Sequence, residues 1–152
     1  MPDQQHVERP FQAAAELRLG SLDDATAAYI LAVHPLFEDL RQVSAQLAGL
    51  LVLAASGSKS ATPDHPLLKS ATELHRASLD ALRSTRPTER ARLHHQCMLR
   101  AARSLSQALA AAQESEIDPI LTPLKTAHEH LQRAANQLPG FEMVDFKQGC
   151  CA

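Results

Sequence analysis

A chain of 152 residues is most simply one domain, long enough to bury a core without help from disulfides or metal. A hydrophobic share of 45% and a charged share of 21% exclude a disordered chain, and a formal charge of −2 excludes a global pull toward nucleic acid or membrane. Aromatic residues make up only 3%, and abundant Ala and Leu point to helices that approach closely through small side chains.

Residues 1–9 read as a flexible polar lead-in without a basic start and apolar run, so no secretory signal is expected. Pro10 opens a short helix that Gly20 ends as a C-cap. Ser21, Leu22, Asp23 and Asp24 then form a capping box for a helix running toward His34. Pro35 lacks an amide proton and disfavours helical geometry at His34, so a break or kink is expected there.

Beyond Pro35, Leu36, Leu40, Val43, Leu47, Leu50 and Ala54 make a coiled-coil-like seam of alternating four- and three-residue steps. At its end, Leu50, Leu51, Val52 and Leu53 point in all directions. A helix apolar all round is central in its bundle or lies in an oligomer interface. The run over residues 47–55 is about half a membrane crossing, so no membrane partner is expected.

Residues 56–64, built of small polar residues and breakers, are the clearest loop. Asp64 or His65 caps the next helix, with Pro66 in its first turn and a stripe of Leu67, Leu68, Ala71, Leu74, His75, Leu79 and Leu82. The connection over residues 85–88 is short enough to make its neighbours antiparallel. From Thr88 to about Ser115 the stripe is Ala91, His94, Cys97, Met98, Ala101, Leu105, Ala108 and Ala112. Asp118 and Pro119 start a last helix with a stripe of Ile120, Leu121, Leu124, Ala127, His128, Leu131, Ala135 and Leu138, ended by Pro139 and Gly140.

The pattern predicts an all-α fold: an antiparallel up-and-down four-helix bundle over residues 10–138, with a short extra N-terminal helix and an extended C-terminal tail over residues 139–152. The tail carries two of the four Phe, Phe141 and Phe146, which are expected to dock over a groove left by an Ala-rich helix pair.

Candidate chemistry rests first on the eight histidines. His75, His94 and His128 fall on or beside the apolar stripes of three successive helices. Imidazoles converging between helices suit a transition metal such as zinc or copper, so these three form a candidate metal set. The competing reading makes each a half-buried histidine bonded to a neighbour, and no HExxH or Glu-x-x-His pair accompanies them. His95 is a poor partner for His94, since adjacent helical side chains diverge by about 100°, and Cys97 on the apolar stripe reads as a small buried hydrophobe rather than a thiolate.

Cys150 and Cys151 are vicinal thiols able to chelate a soft metal or oxidise. Three Cys without CxxC spacing fit a reducing compartment, and a cytoplasmic location is expected. Arg83, Arg86, Arg90, Arg92, Arg100 and Arg103 form a basic stretch without interleaved aromatics, better read as a solvated face than as a nucleic-acid site. No nucleophile, base and orienting group are legible together. The expectation is a non-enzymatic bundle, without a resident cofactor, that acts through protein contacts, including self-association through Leu50, Leu51, Val52 and Leu53. A metal- or cofactor-binding bundle is the alternative.

Overall fold

The computed structural model describes residues 22–57, 63–115 and 117–143. Its elements are four helices: α1 (Asp24–Ala55), α2 (Pro66–Ser84), α3 (Arg92–Gln113) and α4 (Asp118–Ala135). The described residues contain no strand. The expected short N-terminal helix lies outside them, as does Phe146. No helix among them is long and apolar enough to cross a membrane.

The all-α four-helix arrangement follows from how each helix starts and which face it buries. Asp23 is the N-cap of α1; its carboxylate accepts the Thr26 amide at 2.7 Å and the Thr26 hydroxyl at 2.9 Å. Asp23 thus serves as the cap, while Ser21 of the expected box lies outside the described residues. His65 caps α2 by accepting the Leu67 amide on Nδ1 at 3.1 Å, and Pro66 follows in the first turn, where a missing amide proton costs nothing. Thr88 does not begin α3 as expected; its hydroxyl accepts the Ala91 amide at 3.3 Å, and the helix starts at Arg92. Asp118 is the first residue of α4 rather than its cap, and no side chain caps that helix.

Pro35 neither breaks nor ends α1, which runs through it for 32 residues. Pro35 lies on the exposed side of the helix, and so does Leu31, whose carbonyl the proline leaves without its helical donor. Water can serve that carbonyl on this face, so the helix tolerates the loss.

Asp39 accepts from the Ser78 hydroxyl at 3.0 Å, and the Gln46 amide donates to Ser70 at 3.3 Å. Numbers that rise along α1 and fall along α2 make the two helices antiparallel. Short links reverse the chain again at residues 85–91 and 114–117, the latter through Ser115 at φ 59°. α3 packs most extensively on α4, and α1 on α2. The core between these pairs holds Val33, Phe37, Leu40, Val43 and Leu47 of α1 against Leu82, Met98, Leu105 and Leu131. Ala101, Ala102, Ala108 and Ala127 are buried among them, so small side chains bring the helices close.

The buried faces differ from the predicted stripes at their edges. Ser78 and not Leu79 is buried on α2, and Ala134 rather than Ala135 on α4. Cys97 is only half-buried. Leu121 and His128, both placed on the α4 stripe, are exposed. The α4 interface is thus narrower than the stripe drawn for it, and it excludes that flank.

Candidate functional site

The densest polar arrangement in the core lies where α1 and α3 begin. The hydroxyl of Thr26 meets that of Thr88 at 2.9 Å, fixing the first turn of α1 to the link before α3. Tyr29, three residues further along α1, projects toward the start of α3. Its hydroxyl lies 2.9 Å from Nδ1 of His94 and 3.3 Å from Nδ1 of His95. Both rings meet the tyrosine edge-on, with centroids at 5.7 and 6.0 Å. Phe141 covers His94 from the other side at 4.2 Å between centroids, and it packs edge-on against Phe37 at 5.2 Å.

One hydroxyl hydrogen cannot serve two acceptors. If Tyr29 donates to one imidazole, the other must carry its hydrogen on Nδ1 and donate to the phenol oxygen. The cluster is therefore complete only while one of the two imidazoles lacks a proton on Nδ1, so the two cannot both be charged. Burial enforces this state. Desolvation, aided by the charge of His95, pushes His94 down to about 4, and desolvation also lowers His95. Burial raises the Tyr29 phenol, keeping it protonated. Nε2 of His94 is buried and makes no hydrogen bond. A neutral hydrogen-bonded cluster of this kind fixes geometry; it presents neither a charged base nor an activated nucleophile to solvent.

The three histidines of the candidate metal set occupy separate surroundings. His75 bonds to α3, its Nε2 donating to the Ala102 carbonyl at 2.7 Å with the Ser106 hydroxyl at 3.2 Å. His94 belongs to the tyrosine cluster, two helical turns from Ala102 along α3. His128 is exposed on α4. No group of three or more His, Cys, Asp or Glu able to hold a metal occurs among the described residues. Cys150 and Cys151 lie outside those residues.

Leu50, placed with the candidate interface, is buried in the core. Leu51 and Leu53 are half-buried, and Val52 is 69% exposed. Leu121 and Ile117, 61% and 44% exposed, stand at the same end of the bundle, since α4 starts where α1 stops. The arginine stretch lies on the surface: Arg92 pairs with Glu89, and Arg90 acts on the Asp23 carboxylate, which hydrogen bonds from Thr26 hold below its ordinary value. A shallow groove of about 450 Å³ opens beside residues 141–143 and the end of α4, lined by Gln132, Ala135, Asn136, Phe141, Glu142 and Met143.

Reading residue by residue placed His94 correctly on a buried stripe but missed Tyr29 and His95 as its partners. The available signal was the single tyrosine one turn into a helix, on the side that faces the histidine pair. The chain matches no protein-family model, no curated protein and no solved structure.

Proposed function

We propose that the chain is a non-enzymatic helical bundle that acts through protein–protein contacts, made with a second copy of itself at the end where α1 stops and α4 starts. The observation that carries this reading is the exposure of Val52 at 69%, in a segment where Leu51 and Leu53 are also partly open. Ile117 and Leu121 widen the apolar area at that end. The last turns of α1 and α3 contribute no basic residue to it. An exposed apolar surface is matched by another like it, and a two-fold pairing brings the same residues together from both copies.

Light scattering on the eluting protein tests this directly. The wild-type chain is expected to run as a dimer, and Val52→Glu and Leu121→Glu as monomers with unchanged helical circular dichroism. A wild-type monomer over a wide concentration range overturns the reading. Leu50→Glu serves as the contrast: it places a charge in the core and is expected to unfold the chain.

A further inference from the structure

We infer that residues 139–143 form an acid-sensitive latch, in which Phe141 closes over the neutral imidazole of His94 and turns out about Gly140 when that imidazole takes a proton.

The geometry supplies each part. His94 is fully buried, its Nδ1 is occupied by Tyr29, and its Nε2 has no partner. A charged His94 ring therefore places a charge in an apolar setting and holds an Nε2–H without an acceptor. One aromatic ring, Phe141, covers it at 4.2 Å. That ring follows Gly140, whose φ of 91° lies in the left-handed region open to glycine, so the turn that carries the cover is set by a residue without a side chain.

The hold on the segment is limited. Phe141 packs on Phe37 at 5.2 Å and on His34 at 5.7 Å, and Met143 adds a partly buried contact. Among the described residues, the polar tie from the helices to this segment is that of Arg41 to the Glu142 carbonyl, at 3.4 Å, near the limit of a hydrogen bond. Arg41 also pairs with Glu38 at 3.0 Å, so its charge is already engaged.

The titratable groups that face this ring are His95 on α3 and Tyr29 on α1, with His34 of α1 on the far side of Phe141. Glu142 of the tail is exposed and tied to Arg41 through its backbone. The influences acting on His94 are burial and the like charge of His95; no carboxylate stabilises its protonated form. With a proton affinity near pH 4 when covered and an ordinary value of 6.5 when uncovered, the opening constant rises by at most about 300-fold, ten to the power 2.5, on acidification.

Fluorine NMR of the full chain labelled with 4-fluorophenylalanine tests the latch, with the Phe141 resonance assigned through Phe141→Leu. Between about pH 7 and about pH 4 the Phe141 signal is expected to move to the solvent-exposed position while the Phe37 signal and the helical circular dichroism stay unchanged. His94→Gln is expected to hold Phe141 closed over this range, and His34→Gln to leave the transition in place. A Phe141 signal that stays buried while the helices persist overturns the proposal. So does one that moves only together with Phe37 and the helical signal, or an unaltered transition in His94→Gln. Should His94→Gln fail to fold, the nitrogen resonances of His94 in the wild type decide. Titration coincident with Phe141 release supports the latch, and a separate midpoint overturns it.

Discussion

Phe141 stands 4.2 Å from His94 between ring centroids, although 47 residues separate the two in the chain (141 − 94) and a whole helix lies between them. The contact joins the residue just past Gly140 to the first turn of α3. It closes the end of the core that the four helices alone leave open, and it sets the stability of that end.

Truncation of this ring is therefore expected to cost what a core aromatic costs. Phe141→Ala should lower the unfolding free energy by about 3–4 kcal/mol, and Phe141→Leu by about 1 kcal/mol, since most of the volume is kept. Urea denaturation followed by circular dichroism measures both. A loss below about 0.5 kcal/mol for the alanine variant would show that the ring contributes no buried contact in solution.

Stability should also fall with acid, and the direction follows from His94. Its affinity for a proton is near pH 4 in the folded chain, lowered by burial from an ordinary 6.5. Between those values the unfolded chain binds more protons, so folding weakens as pH drops from about 6.5 to about 4. The loss is at most about 3 kcal/mol, 2.5 pH units at 1.36 kcal/mol each. Denaturation midpoints across this range check it, and His94→Gln should flatten the part of the curve that this residue supplies.

Pro35 supports a prediction of the opposite sign. It sits inside an unbroken helix on the exposed face, where it removes a backbone hydrogen bond without serving any contact of the core. Pro35→Ala is expected to raise stability by about 1–3 kcal/mol. An unchanged or lower midpoint would mean that the proline fixes a bend on which the packing of α1 depends.

Helix number, order and most of the core were legible from spacing. Every residue of the α3 stripe from Ala91 to Ala112 except Cys97 is buried, because a 3.6-residue period with small side chains leaves few alternatives. The failures share a physical cause: periodicity reports direction around one helix and says nothing of where its neighbours stop. Leu121 and His128 point along a flank that no other helix among the described residues covers. Of the break or kink expected at Pro35, the break does not occur, and the proline lies on a face that meets water. His95 was set aside because it diverges from His94 by about 100°, yet the long Tyr29 side chain reaches both rings. A contact made across helices leaves no trace in the spacing of either one.

Unequal helix lengths set the order in which the bundle can close. α1 has 32 residues, about 48 Å, and α2 has 19, about 28 Å. The ties from Asp39 to Ser78 and from Gln46 to Ser70 bring the end of α2 level with about residue 33 of α1. The first ten or so residues of α1 thus project past α2 and rely on partners distant in sequence. Tyr29 bonds across 65 positions to His94, and Thr26 across 62 to Thr88. Closing such long loops costs chain entropy that local pairing of α1 with α2 avoids. The projecting end should therefore assemble last and open first, with its amides the earliest to exchange with solvent hydrogen.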